Sequence, residues 1–305
     1  MRSALLWAST NPRLASTLPR RRFVRRAVRR FMPGETREDA LREAARLATR
    51  GVPAILTMLG ENVTTARETR EVVDEYGRVL AEATERGLDA EISVKPTHLG
   101  LDLDPGLAAR NVAELARAAR GRGTVWIDME GSAYTDATLD LYRDLKPEHD
   151  NLGVCLQSYL RRTEADLESL LPLAPRIRLV KGAYAEPPDL AYPSKGDVDA
   201  RYRALGRRLL GHLDDGGDGF VGFGTHDAAL IGPLARDARS RARTAERFEI
   251  EMLYGIGLRA QDALVAEGVP LRVLISYGAA WFPWYMRRLA ERPANVWFVV
   301  RSFLR

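Results

Sequence analysis

Eight short apolar runs, each followed by a segment of helical periodicity, most limit what this chain can fold into. The runs cover residues 53–58, 90–94, 124–129, 152–156, 176–180, 219–223, 247–252 and 271–275. They are apolar and β-branched, the composition of strands covered on both faces. The segments 64–86, 107–120, 136–145, 163–171, 197–213, 227–235, 259–266 and 283–290 read as helices. Strands alternating with helices predict a parallel sheet. Eight repeats in about 250 residues match a (βα)₈ barrel in number and size. An open doubly wound sheet is the alternative. It needs a glycine-rich phosphate turn after the first strand, and Leu59-Gly60-Glu61-Asn62 is not one. The expected organisation is α/β: an N-terminal helical segment over residues 1–50, then the barrel over 51–305. Residues 36–49 form an amphipathic helix that either plugs the barrel or flanks it.

Charge narrows the partners. The chain has 46 basic and 41 acidic residues, a net charge of +5. Nine of the basic residues are arginines within residues 1–34, which contain no acid. The remainder is left with 37 basic against 41 acidic residues, so a mildly acidic body follows a basic leader. That distribution argues against nucleic-acid binding, which needs a basic face on the folded domain. The leader is expected to lie outside the barrel, either as a solvated first helix or as a peripheral contact with an anionic membrane. The single cysteine, Cys155, allows neither an intrachain disulfide nor a cysteine-based zinc site. No HxH or HExxH spacing suggests a metal. No apolar run approaches the roughly 18 residues of a membrane span, and the Ala4–Ala8 stretch is too short for a secretory signal. The expected location is cytoplasmic, with any membrane contact peripheral, at the inner membrane surface and through the basic leader.

In such a barrel the chemistry lies at the C-terminal strand ends. Read in order, these carry Glu61, then Lys95, then Asp128 and Glu130, then Gln157, then Lys181, Gly182, Ala183 and Tyr184. Next come Thr225, His226 and Asp227, then Glu251 and Leu253, and last Ser276 and Tyr277. Only four lysines occur in the chain, and two of them stand here. Any one of these side chains reads equally as a solvated loop residue. Polar groups after all eight strands together predict a polar pocket for a small molecule on one rim. Arg287 and Arg288 follow the last strand closely, and two guanidinium groups there could clamp a carboxylate. As neighbours on a helix they also read as two solvated arginines.

Six strings then become recognisable together: Val94-Lys95-Pro96-Thr97, Ile127-Asp128-Met129-Glu130, Leu156-Gln157-Ser158-Tyr159-Leu160, Arg178-Leu179-Val180-Lys181-Gly182-Ala183-Tyr184, Thr225-His226-Asp227 and Arg287-Arg288-Leu289-Ala290-Glu291. In this order, from about Arg20 to Phe303, the chain resembles the bacterial monofunctional proline dehydrogenases. The resemblance implies a distorted (βα)₈ barrel with extra N-terminal helices that binds FAD. It implies hydride transfer from proline C5 to flavin N5, yielding Δ1-pyrroline-5-carboxylate, with electrons passed to a quinone-type acceptor. A separate pyrroline-5-carboxylate dehydrogenase is then expected to use the product. By this resemblance Arg287, Arg288 and Lys95 bind the proline carboxylate, and Glu61 pairs with the clamp. Asp128 orients the clamp, and Tyr184 and Leu253 pack near substrate and flavin. Met129, Gln157, Arg178, Lys181, Gly182, Ala183, Thr225, His226 and Glu251 stand where the family contacts FAD.

Two positions depart from the family pattern. Glu251 replaces a glutamine in the string after the seventh strand, and a carboxylate cannot donate to a flavin carbonyl unless protonated. Leu274 replaces the tyrosine that covers the proline ring. It keeps an apolar contact and loses a hydroxyl, which shifts the expectation toward weakened proline oxidation or toward hydroxyproline or another imino or N-alkyl amino acid. A barrel lyase or a binding protein for an anionic metabolite, without flavin, is the reading from a different class.

Overall fold

The computed structural model describes residues 28–282 and 284–286. Eight strands close into a barrel in sequence order: β1 (Ala54–Met58), β2 (Ala90–Val94), β3 (Val125–Ile127), β4 (Leu152–Gln157), β5 (Arg176–Val180), β6 (Phe220–Gly224), β7 (Phe248–Leu253) and β8 (Leu271–Tyr277). Every neighbouring pair is parallel, and β8 returns to pair with β1, Leu274 opposite Ile55. Among the described residues the helices include α1 (Arg37–Ala48), α2 (Ala66–Glu85), α3 (Pro105–Ala118), α4 (Thr135–Leu145), α5 (Thr163–Leu170), α6 (Lys195–Asp214), α7 (Ala228–Arg239) and α8 (Leu258–Ala266), and most of the helix expected over 283–290 lies outside the described residues. All eight expected strands are present. The largest difference is β3, three residues where six were expected.

Alternate residues of a strand face opposite ways. The outward set, including Leu56, Ile92, Val94, Ile127, Val154, Leu179, Val221, Ile250, Val273 and Ile275, is buried in one apolar cluster with the helices. The inward set differs from the expectation of strands apolar on both faces. Arg178 on β5 reaches across the barrel interior to Ser93 on β2, while Arg272 on β8 binds Glu249 on the neighbouring β7 and Asp89 just before β2. Arg272 Nε donates to both oxygens of Glu249 at 3.0 Å. Glu91 accepts from the Trp126 indole at 2.6 Å and the Thr124 amide at 3.0 Å. Buried charge costs several kcal/mol per ion unless it is paired, and the interior meets that cost by alternating acids with arginines.

Helix α1 settles as a flank, packed on β1 and β8. Thr36 caps it in a reciprocal box with Asp39, and Arg37 ties it to Glu75 and Glu82 of α2 at 2.6 and 2.8 Å. Helix α5 begins at Thr163 as expected, yet the Thr163 hydroxyl does not cap it. It donates instead to the Gln157 carbonyl at 2.6 Å, tying the helix to the end of β4.

A second apolar cluster covers one side of the C-terminal rim. Val28, Phe31 and Met32 pack against Leu59, Trp281, Phe282, Trp284 and Tyr285, with Ile256 beside them. The Trp281 indole donates to Glu35 at 3.0 Å. Residues 28–34 are therefore not part of a leader lying apart from the barrel. Arg29 and Arg30 are exposed, but the apolar residues around them are docked on the rim. The other seven arginines of the leader lie outside the described residues. No helix among the described residues is long and apolar enough to cross a membrane.

Candidate active site

The site is built where β2, β3 and β5 end. Pro96 starts a short 3-10 turn, Pro96–Leu99, directly after Lys95, which fixes the lysine backbone at the rim. The Asp128 amide continues the ladder by donating to the Val94 carbonyl at 2.9 Å, so Asp128 and Lys95 are held side by side. Lys95 Nζ donates to Asp128 Oδ2 at 3.1 Å. Asp128 Oδ1 accepts from the Ser93 hydroxyl at 2.7 Å and from Arg178 Nη1 at 3.2 Å. The Arg178 guanidinium carbon lies over the Trp126 ring, 4.5 Å from its centroid. Its Nε stands 2.5 Å from Glu251 Oε2, both side chains being almost fully buried.

The electrostatics follow from these distances. Burial alone would lower the Lys95 pKa, but Asp128, Tyr184 and Glu130 outweigh it and hold the ammonium above its ordinary range. Burial pushes Asp128 up, and Lys95 with Arg178 overcomes it, so the carboxylate stays ionised below its ordinary value. Burial raises Glu251, with Arg178 opposing. The result is a charged, largely dehydrated cluster at the strand ends.

Around it the remaining rim residues take distinct places. Glu61 lies near His98 and Glu130, close enough to act on both. Glu130 anchors the 3-10 turn by accepting from the Thr97 amide and hydroxyl at 3.0 and 2.7 Å. Gln157 donates to the carbonyls of Glu130 at 2.7 Å and Met129 at 3.3 Å. Lys181 is held by Asp199 of α6 at 2.6 Å and by Asp227 at 2.9 Å. Gly182 has φ +117°, and a Cβ there would come within 2.2 Å of the Tyr159 ring. Tyr184 and Ala183 are half-buried in the same loop. Thr225 accepts from the Asp227 amide at 3.2 Å, and His226 Nε2 accepts from the Leu253 amide at 3.3 Å. Leu253 and Leu274 are register partners on β7 and β8, and both are half-buried.

Of the expected site residues, the structure brings Lys95, Asp128 and Arg178 to one point, with Tyr184 acting on Lys95 and Glu61 on His98 and Glu130. Lys181 follows β5, and Thr225 and His226 follow β6. Glu251 lies below the rim, inside the barrel. Arg287 and Arg288 lie outside the described residues. Ser93 was missed, although it stands two residues before Lys95 on the same strand face. Asp199 and Glu186 were missed because they come from outside the strand ends. Glu186 accepts from the Ser132 amide at 2.8 Å and fastens the loop after β5 over the end of β3.

The profile described as proline dehydrogenase matches residues 40–301. The chain belongs to the proline dehydrogenase family. Proline dehydrogenase 1 of Bacillus subtilis subsp. natto is 36% identical over 283 residues, covering 92% of each chain. Proline dehydrogenase of Deinococcus radiodurans is 36% identical over 282 residues, covering 90% of this chain and 89% of that one. Among solved structures, proline utilization A from Bdellovibrio bacteriovorus superposes with a TM-score of 0.80 at 20% identity. That match takes in 95% of this chain and 38% of the other, and it carries the fold alone. The barrel of this proline dehydrogenase family member is therefore an oxidoreductase scaffold, and its strand-end cluster is the candidate active site.

Proposed function

We propose that the chain oxidises L-proline to Δ1-pyrroline-5-carboxylate with bound FAD. The observation that carries this reading is the Lys95–Asp128–Arg178 cluster, buried and charged at the C-terminal end of a barrel of this family. FAD would supply the redox chemistry, taking the C5 hydride at N5 and passing the electrons to a quinone-type acceptor. As the hydride leaves, a second C5–N bond forms and the ring nitrogen gives up its proton.

The residues present fit such a cofactor. Arg178 Nη2 and Gln157 Oε1 are buried with no hydrogen-bond partner among the described residues, and a polar ring edge would satisfy them. Gln157, Arg178, Lys181, Thr225 and His226 would hold the flavin and its phosphates, with Met129, Gly182 and Ala183 giving backbone approach. Lys95 would bind the substrate carboxylate together with Arg287 and Arg288. Asp128 would keep Lys95 charged and aimed, Glu61 would close on the clamp, and Tyr184, Leu253 and Leu274 would wall the ring and exclude water. The product then requires a second oxidation by a pyrroline-5-carboxylate dehydrogenase.

Leu274 favours one second reading, oxidation of hydroxyproline or another imino acid by the same chemistry. Adding proline, hydroxyproline and pipecolate in turn to the purified protein without oxygen tests both readings. Bleaching of a flavin band by proline is expected. Bleaching by another member of the set alone moves the assignment to that substrate, and a preparation that binds no flavin removes both readings.

A further inference from the structure

Glu251 is the charged group of the site whose task is least evident from its position. It lies beneath the rim, one inward position below Leu253 on β7. Its carboxylate has room because Gly222 on β6 carries no side chain: a Cβ there would stand 1.9 Å from Glu251 Oε1. Its Oε2 is 2.5 Å from Arg178 Nε, but neither carboxylate oxygen makes an aligned hydrogen bond among the described residues. The contact is one of charge. On its other side Arg178 is bound through Nη1 to Ser93 at 2.8 Å and Asp128 at 3.2 Å, and Asp128 in turn holds Lys95. A guanidinium is thus stretched across the barrel between two carboxylates, one at the site and one behind it. With Glu251 ionised against Arg178, the charges of Lys95, Arg178, Asp128 and Glu251 sum to zero.

We propose that Glu251 is a positioning residue for the oxidation, holding Arg178 within reach of Asp128 and keeping the cluster neutral instead of singly positive. It never touches substrate. It acts through Arg178, and so sets both how strongly the pocket attracts a carboxylate and how readily an adjoining flavin accepts negative charge. This rests on the flavin reading given above.

Two variants test it, Glu251→Gln and Gly222→Ala. The first removes the charge with little change of shape. The second adds a methyl where the carboxylate sits and pushes it off Arg178. In both, the midpoint potential of the bound flavin should move positive. The tetrahydrofuran analogue of proline, which keeps the carboxylate and lacks the oxidisable amine, should bind on the order of tenfold tighter. Because the Arg178 guanidinium sits over the Trp126 ring, flavin-free protein should also show altered emission in both variants, and that change should vanish in a Trp126→Phe background. Purely structural roles for Glu251 would shift the melting temperature and leave potential and analogue affinity where they were. Unchanged potential and affinity in folded Glu251→Gln and Gly222→Ala protein overturn the proposal. Wild-type protein that takes up no flavin sinks the functional reading instead, and unchanged Trp126 emission in both variants still overturns the placement of Arg178 by Glu251.

Discussion

Asp128 is the residue on which the site's charges converge, since it binds Lys95, Ser93 and Arg178 at once. Asp128→Asn keeps its shape and leaves two buried cations without a shared counter-charge. We expect a stability loss of about 3 kcal/mol in urea melts and a fall in kcat/KM of roughly a hundredfold or more. Leu274→Tyr acts on selectivity instead. It should raise kcat/KM for proline by about tenfold and change its ratio to hydroxyproline; constant values for both substrates would remove Leu274 from the pocket wall. His98 gives a pH dependence. Burial, aided by Lys95, lowers its pKa from 6.5 to about 4. Between those values the unfolded chain binds the proton and the folded chain does not, so this contribution to stability is complete above pH 6.5 and is lost as pH falls toward 4. Urea midpoints at pH 7 and pH 5 should differ less in His98→Gln than in wild type. Lys95 and Asp128 were legible because strand ends can be counted in the sequence. The link from Arg178 to Glu251 was not, because the two meet across the barrel interior from strands 73 positions apart.

At the scale of elements, the strands were legible because their outward residues are apolar and buried against helices. Their inward residues were not legible as barrel filling: Glu91, Glu249 and Arg272 read like surface charge until closure brings them together. The loop after β5 shows a different limit. Its path depends on Glu186 meeting Ser132, and on the short bridge between Leu160 and Ala191, which no local pattern announces. Gly182 is the element's constrained point, with positive φ and a Tyr159 ring against it. Gly182→Ala should cost about 1–3 kcal/mol through backbone strain and overpacking. Reduced flavin content at unchanged secondary structure, measured by absorbance and circular dichroism, is the expected outcome.

For the molecule as a whole, the barrel and its rim cover are separate apolar clusters, and this separates their stabilities. Phe31→Ala should weaken the cover by about 3 kcal/mol. Amide exchange should then speed up in residues 28–35, 281–282 and 284–286 while β1 to β8 keep their protection; equal acceleration in the strands would show a single cooperative unit. Order along the chain adds a consequence. β1 closes on β8, and Phe31 docks on Trp281 and Tyr285, so both the closing seam and the cover join the early part of the described chain to its late part. During synthesis Val28, Phe31 and Met32 must wait, with their apolar faces unburied, for partners that emerge some 250 residues later. The nascent chain is therefore most exposed to mispairing at the same rim that later shelters the reaction.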